Sequence, residues 1–288
     1  MNARLMSVRG FPSLIPVLLV VTASYGQATL TPDESEALVK TALAAESRAA
    51  RDTSHPMRYR LRKSTPRLTT TKEIFETRDG AVARLISVND QPLSQLDEQK
   101  EQARLNLLLS DPNRQRHRKQ SEDEDAARAN KLLRALPDAF LYRFEASTAA
   151  PTGTVDKFSF WPNPKFDPPD LETQVLTAMT GEIWIDPAQQ RVTRLEGHLQ
   201  RGVDIGWGMV ARLYKGGWIV IEQADVGDHQ WRIVHLKMQM SGRVLFWTKS
   251  FDTTQDQSQF APVPADLGYQ QALHILRSGP PEAAKDSR

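Results

Sequence analysis

Between Gly181 and Phe251 the sequence alternates apolar and polar residues in segments that are separated by short turns. Successive side chains of a β-strand point to opposite faces of a sheet, so this alternation predicts strands with one apolar and one polar face. Six strands are predicted here, and the short turns favour antiparallel pairing. An antiparallel sheet with one apolar face must cover that face, which constrains the fold more than any other feature of the chain.

The strand register can be predicted by choosing turn lengths that place apolar residues opposite each other. A three-residue turn at 215–217 places Leu213 opposite Ile219, and a four-residue turn at 226–229 places Ile219 opposite Leu236 and Ile221 opposite Val234. A two-residue turn at 241–242 then places Leu236 opposite Trp247. These three choices agree on one apolar face.

Upstream, a three-residue turn at 201–203 pairs Leu199 with Ile205 and Gly197 with Trp207, and a turn at 187–190 places Trp184 opposite Thr193. A glycine opposite a large aromatic residue lets a curved sheet accommodate the ring. The apolar face is the candidate ligand-contacting surface. We predict that it contains Trp184, Leu195, Ile205, Trp207, Met209, Leu213, Ile219, Ile221, Leu236, Met238 and Trp247.

Amphipathic helices are predicted as the cover of this face. Thr31-Pro32-Asp33-Glu34 has the residues of a capping box with proline at the first helical position, which predicts a helix to about Arg51. Further helices are predicted at 93–109, 126–136 and 265–276. The fold class that follows is mainly β (α+β): a strongly curved antiparallel sheet or half-open β-barrel with helices over its concave apolar face.

Residues 113–125 carry a basic cluster, from Arg114 to Lys119, followed by an acidic one, from Glu122 to Asp125. One interpretation is a docking or lipid-headgroup patch. The other, which we favour, is a solvated connection whose acidic residues cap the next helix.

The first 28 residues contain no acidic side chain, and Arg4 and Arg9 precede a short apolar stretch and small residues. This pattern predicts a secretory signal peptide with cleavage after Gly26 or Ala28 and a periplasmic or secreted mature protein. The remaining chain is predicted to be one domain at 29–277, with a helical insert at 93–136 and a disordered tail at 278–288. A retained membrane anchor is the alternative for the N-terminus.

Removal of that segment takes two arginines from the 37 basic residues and none of the 35 acidic ones, so the net charge falls from +2 to 0. Nucleic-acid binding through bulk charge is therefore not expected. The chain has no cysteine, which excludes disulfides and a lipid-modified cysteine.

No residue cluster has the spacing of an active site. The six histidines lack metal-ligand spacing, and no nucleotide-binding or serine-hydrolase motif occurs. Glu196 and His198, two residues apart on the predicted polar face, could serve as a hydrolase pair, but salt-bridge ladders have the same pattern. We expect neither a metal nor a cofactor, and no enzymatic activity.

The order of elements over residues 30 to 276 resembles the LolA/LolB-like superfamily, which includes periplasmic outer-membrane lipoprotein-sorting proteins and the N-terminal domain of RseB-type sensors. The closest local likeness is the segment Gly181 to Pro187 followed by Arg191 to Glu196. The resemblance implies a half-open barrel that shields acyl chains without catalysis or cofactor. No residue matches the arginine used by LolA-type carriers, so no residue role is transferred.

Two functions are therefore expected to compete. The first is a non-catalytic carrier or sensor that binds a lipid or lipoprotein acyl chain on the apolar face. The second is a structural or envelope-sensing module whose concavity is filled by its own helices and whose partner is an envelope protein. Trp207→Ala would weaken apolar-ligand binding only in the first case.

Overall fold

The computed structural model describes residues 30–150, 153–205, 211–244 and 247–278. The predicted signal peptide at 1–28 lies outside the described residues, as does the predicted tail beyond Ser278. Helices in the described part are α1 (Pro32–Ala49), α2 (Gln95–Ser110), α3 (Pro112–Ala139), a 3-10 helix (Thr173–Ala178) and α4 (Tyr269–Ser278).

The strands of the described part are β1 (Met57–Ser64), β2 (Thr69–Phe75), β3 (Val82–Val88), β4 (Gln91–Pro92), β5 (Phe140–Ala150), β6 (Gly153–Pro162), β7 (Met179–Asp186), β8 (Arg191–Leu199), β9 (Val203–Ile205), β10 (Ala211–Leu213), β11 (Trp218–Asp225), β12 (Trp231–Val244) and β13 (Trp247–Pro262). They form one antiparallel sheet in the order β4-β3-β2-β1-β13-β12-β11-β8-β7-β6-β5, and β10 joins β9 to the end of β12. The sheet is open, since β4 and β5 are its two edges. The predicted fold class is confirmed.

Helix α3 shows how strongly the sheet curves. At one edge the Ala81 amide donates to Glu122 (2.9 Å), and at the other the Tyr142 hydroxyl donates to the Leu136 carbonyl (2.8 Å). Fourteen residues of helix separate these contacts, an axial distance of about 21 Å. The path along the sheet from β3 to β5 crosses nine interstrand spacings, or about 43 Å. The sheet therefore bends around α3, and its concave face is the one that α3 spans.

One core lies on this concave face under α1. The Thr31 side chain accepts from the Glu34 amide and the Glu34 carboxylate accepts from the Thr31 amide, which confirms the predicted capping box. The resulting helix places Val39, Ala42 and Leu43, each at most 1% exposed, on the sheet. We call this cluster the α1 core. It includes Phe140, Phe158, Phe160, Ile183, Ile185, Val192 and Leu199, and α3 adds Leu132, Leu133 and Leu136 at its margin.

A second core, which we call the α4 core, lies at the other end of the sheet. It comprises Phe75, Val82, Leu105, Leu108, Leu267, Ala272, Leu273 and Leu276. The face that this core covers follows from the strand register. Gln255 pairs with Leu236 on the concave face, and Gln257, two residues further along β13, pairs with Leu61 of β1, so Leu61 is also on the concave face. Arg58 lies three residues before Leu61, and because side chains alternate along a strand, Arg58 and its partner Phe75 are on the convex face. Helix α4 thus covers the convex face, which corrects the prediction that all four helices cover the concave one.

The exposed part of the β3 edge is capped by side chains from helices. The Leu85 amide donates to Glu101 (2.8 Å), and Arg104 donates to the Ala83 carbonyl (2.6 Å). Satisfying these groups removes a template for pairing with another chain.

Residues 112–139 form one helix, so the predicted solvated connection at 113–125 and the separate helix at 126–136 are wrong. Ion pairs at four-residue spacing join the two charge clusters, namely Lys119–Asp123 (2.7 Å) and Arg118–Glu122 (3.9 Å), and Asp125 pairs with Arg128 in the next turn (2.9 Å). Such pairs stabilise a helix without an apolar stripe. The clusters are therefore internally paired on α3.

Apart from Trp184, the predicted register holds in phase but not in partner. Ile219 pairs with Met238 and Ile221 with Leu236, two residues away from the prediction. One residue of this shift comes from the turn, since Asp225 pairs with Trp231 and five residues lie between them instead of four, and the other comes from a bulge after Glu222. Strand β11 pairs on its other side with β8, where Ile221 faces Leu195, and not with Leu213. Ile205 pairs with Ala211 and not with Leu199. The prediction assumed that strands adjacent in sequence are adjacent in the sheet.

Gly242 is not a turn residue, although Ser241-Gly242 suggested one. Strand β12 continues through it, with Leu213 as its partner on β10. A Cβ atom at Gly242 would lie 2.6 Å from the Arg212 carbonyl oxygen, so the close approach of β10 requires glycine here.

Gly181 and Gly197 are directly paired between β7 and β8. A Cβ atom at Gly181 would lie 1.9 Å from the Glu196 carbonyl oxygen and 2.7 Å from Cζ of Phe160. Gly181 therefore accommodates the Phe160 ring, and Gly197 accommodates Met179, whose Cε would lie 2.6 Å from a Cβ atom at that position. The predicted partner of Gly197, Trp207, lies outside the described residues.

Candidate functional site

Beyond the α1 core, the concave face of strands β8, β11 and β12 is apolar but not fully buried. We call this surface the open floor: Leu195, Ile219, Ile221, Leu236, Met238 and Met240, all half-buried. On the same face under α1, Ile183 and Leu199 are only 1% and 2% exposed. The difference means that helix cover ends within the sheet, at about strand β8.

The middle of α3 lies between its contacts with the two sheet edges. Residues 123–129 are all exposed. A helix that is polar on all sides and spans two packed regions has solvent around it. The helix therefore bridges the concavity without filling it.

Most of the predicted apolar residues that lie in the described part share the concave face. The register places Leu195, Leu213, Ile219, Ile221, Leu236 and Met238 together. The backbone of Ile205 lies in β9, and Trp207 and Met209 lie outside the described residues.

Trp184 is on the opposite, convex face, so its predicted placement is wrong. A bulge in β8 leaves Thr193 without a partner on β7, so Trp184 pairs with Arg194 instead. The neighbouring residues Ile183 and Ile185 point to the concave face, where they pair with Leu195 and Val192. The Lys157 ammonium lies 5.1 Å and the Arg194 guanidinium 5.3 Å from the Trp184 ring centre. These cation–π contacts give this tryptophan a structural role on the convex surface.

Trp247 shares the phase of the open floor but lies far from its predicted partner. It pairs with Val244 at the end of the β12–β13 hairpin and is 74% exposed, whereas Leu236 pairs with Gln255. Met240 and Phe251, which pair with each other, were missed as members of the concave face. The alternation Leu236, Met238, Met240 would have shown this if the turn had not been assigned to Ser241-Gly242.

One end of the concavity is closed by a buried ion pair. Glu46 of α1 accepts from Arg191 Nε (2.8 Å), from Arg191 Nη2 (3.0 Å) and from the Val192 amide (2.9 Å). The guanidinium also lies 5.6 Å from the centre of the buried Trp231 ring. These contacts join α1, the β7–β8 hairpin and the start of β12.

At the β1 end of the concave face, Tyr59 stacks on Phe260 with ring centres 5.3 Å apart. Burial, followed by the nearby Glu76 carboxylate, raises the pKa of Tyr59. Its hydroxyl is therefore neutral at physiological pH.

Glu196 and His198 lie on the convex face in a ladder of charges. His198 Nε2 is 3.2 Å from Glu196 Oε1, and Arg194 donates to Glu196 Oε2 (3.0 Å) while also pairing with Glu222. The hydrogen bond from Arg194 lowers the pKa of Glu196, so the carboxylate is stabilised as an anion. A paired surface carboxylate of this kind is a poor general base.

Among the described residues, no group of three or more His, Cys, Asp or Glu side chains is arranged to hold a metal ion. No helix in the described part of the chain combines the length and the apolar character needed to cross a membrane.

Comparison with known proteins assigns no family. No protein-family model matches the chain, and no curated protein matches it. Among solved structures, the chain is similar to a domain from Vibrio parahaemolyticus that is described as an outer membrane lipoprotein-sorting protein domain. The TM-score is 0.31 and the sequence identity 11%, and the alignment covers 82% of this chain and 97% of the Vibrio domain. A DUF1329 family protein from Desulfovibrio piger has a TM-score of 0.29 and 11% identity, covering 81% and 94%. Likenesses at this level identify no function for this chain.

Proposed function

We propose that this protein is a non-catalytic binder of acyl chains and holds one chain on the open floor beneath α3. The observation that carries the proposal is that the six floor residues are only half-buried, whereas the residues of the same face under α1 are fully buried. Apolar side chains that form a contiguous, partly exposed concave surface are typical of ligand-binding sites.

The shape of the floor suits a linear ligand. Leu236 to Met240 span about 13 Å along β12, and β8, β11 and β12 are separated by two interstrand spacings, or about 10 Å. The floor lies on hydrogen-bonded strands next to the α1 core, so it is formed before a ligand binds. A preformed apolar groove binds without the cost of ordering new segments.

Acyl chains of free lipids and of lipoproteins share this chemistry, and the family resemblance of the sequence favours the lipoprotein as the source. The pattern of residues 1–28 supports export, which would place the mature chain where such ligands occur. A module with a filled core and an envelope protein partner is the competing outcome of the test below.

Titration of the mature protein with a fluorescent fatty acid tests the proposal. Met238→Gln keeps the length of the side chain but makes it polar. A fully buried large apolar side chain contributes about 1.5–3 kcal/mol. We expect Met238→Gln to lose about half of that contribution, which weakens binding of the fatty acid about fivefold. The double variant Leu236→Gln with Met238→Gln should weaken binding about 30-fold.

The control is Leu96→Gln on α2, an equally apolar residue that is 60% exposed and distant from the floor. It leaves the affinity unchanged. Absence of probe binding by the folded protein, or equal affinities of the floor variants and the control, would refute the proposal.

A further inference from the structure

The ends of β12 and β13, together with β10 and its partner β9, form one end of the sheet, which we call the tip. Ala211 pairs with Val244 and Leu213 with Gly242 on one side of β12, and on the other side Val244 pairs with Trp247 and Gly242 with Lys249. The last pair between β11 and β12 is Trp218 with Gln239, so β12 continues past the end of β11 and pairs with β10 there.

One face of the tip carries exposed aromatic side chains. Trp247 and Phe251 are 74% and 52% exposed, and register places both on the face that continues the open floor. Trp247 forms the last described pair of the hairpin, about 13 Å beyond Phe251. Tryptophan in such a position is typical of residues that anchor at a membrane interface, where one part of the ring is in hydrocarbon and the other near headgroups.

The other face of the tip is basic. Arg212 and Arg243 are directly paired across β10 and β12, and they line a shallow concavity with Gly202, Tyr214 and Lys215. Like charges at paired positions of a sheet repel each other. The acidic residue closest in register is Asp204, which is 3.3 Å from Arg212.

The sequence of the tip confirms its charge. Residues 199–218 and 240–251 contain five basic residues, which are Arg201, Arg212, Lys215, Arg243 and Lys249, and one acidic residue, Asp204. The chain after residue 28 is neutral overall, so this excess is local. Phosphate groups of anionic lipids complement it.

We propose that the tip docks on a bilayer that contains anionic phospholipids, with Trp247 at the boundary of headgroups and acyl chains and Arg212, Arg243 and Lys249 at lipid phosphates. Aromatic insertion combined with basic residues gives reversible surface binding without a membrane-spanning segment. The concave face of the tip is continuous with the open floor, so docking would present the floor to the membrane. The docking proposal does not depend on ligand binding.

Co-sedimentation of the mature protein with vesicles tests the charge contribution. We expect binding to an equal mixture of phosphatidylcholine and phosphatidylglycerol, much weaker binding to phosphatidylcholine alone, and loss of binding at high ionic strength. Each basic residue near an anionic surface contributes about fivefold, so Arg212→Gln with Arg243→Gln weakens binding about 30-fold. The matched control, Arg116→Gln with Arg128→Gln, removes two exposed arginines of α3 and leaves the binding unchanged.

The aromatic contribution is tested with Trp247→Ser, which we expect to weaken vesicle binding at least tenfold, or about the lower limit for burial of a large side chain. Leu96→Ser is its control, and equal thermal midpoints verify that each variant is folded. Equal binding to both vesicle types, no binding to either, or tip variants that match their controls would overturn docking. Vesicle binding and fatty-acid binding are separate readouts, so failure of one proposal is distinguishable from failure of the other.

Discussion

Replacement of Glu46 by glutamine tests how α1 is held over the sheet. The Glu46 and Arg191 side chains are 7% and 14% exposed, and Glu46 accepts three hydrogen bonds from Arg191 and the Val192 amide. Glutamine has nearly the same shape but no charge. It can still accept from the Val192 amide, whereas the Arg191 guanidinium loses its carboxylate in a largely buried position.

Removing one partner of a buried ion pair costs about 3–5 kcal/mol, mainly because the other charge remains unpaired. Since one backbone hydrogen bond survives in Glu46→Gln, we expect a loss of about 3 kcal/mol in the free energy of unfolding. For a domain of this size that corresponds to a decrease of about 6–12 °C in the thermal midpoint.

Urea unfolding at neutral pH measures the loss, provided that the dependence on denaturant concentration is unchanged. The control is Glu36→Gln on the same helix, which breaks the ion pair between Glu36 and Lys40. These two side chains are 49% and 45% exposed, respectively. Exposed helix pairs contribute about 0.3–0.5 kcal/mol. If Glu46→Gln costs no more than Glu36→Gln, the buried pair does not hold α1 and the reasoning is wrong.

Two further predictions concern the glycine pair and the buried tyrosines. Gly181→Ala should destabilise the protein strongly, by about 1–3 kcal/mol or more as in overpacked cores, because its Cβ would lie 1.9 Å from the Glu196 carbonyl oxygen. Gly268→Ala, whose Cβ would meet ordinary contacts at 3.5 Å, should change the unfolding free energy little, and equal effects of the two changes would contradict the steric argument. Burial raises the pKa of Tyr59 and Tyr142 above the ordinary value of 10.0, so the unfolded chain loses these protons first and stability falls as the pH rises beyond that value. During an alkaline titration, the ultraviolet absorbance of tyrosinate in the folded protein should therefore stay below the value reached by the unfolded protein. Full ionisation of the tyrosines without unfolding would show that these hydroxyls are not buried.

Local patterns predicted most elements of the fold. The capping box at Thr31 depends on neighbouring residues alone, and it is present in the structure. Alternation likewise placed Leu195, Ile221 and Leu236 on one face, because phase along a strand does not depend on which strand is its partner.

Partners that are distant in sequence were not predictable in this way. The pairing of β11 with β8 and the pairing of β10 with the end of β12 both join strands that are not neighbours in sequence. One bulge in β8 was enough to move Trp184 to the convex face, since a slip of one residue reverses every side chain beyond it.

The open floor was predicted as a set of residues but not as an accessible surface. Periodicity shows that Ile219 and Met238 share a face, whereas their exposure depends on where α1 ends and on the distance between α3 and the sheet. The continuity of α3 was itself missed, because its charge clusters contain few apolar residues and its stability comes from paired charges such as Lys119 and Asp123.

Photocrosslinking with a fatty acid that carries a diazirine on its acyl chain tests the central claim most directly. The protein without residues 1–28 is irradiated with the bound probe, and the labelled peptides are identified by mass spectrometry. We expect the label to be attached to residues of β11 and β12 between Ile219 and Met240, and unlabelled fatty acid to compete with the labelling. Label confined to exposed apolar residues of α2, such as Leu96 and Leu107, or label that no competitor displaces, would contradict it.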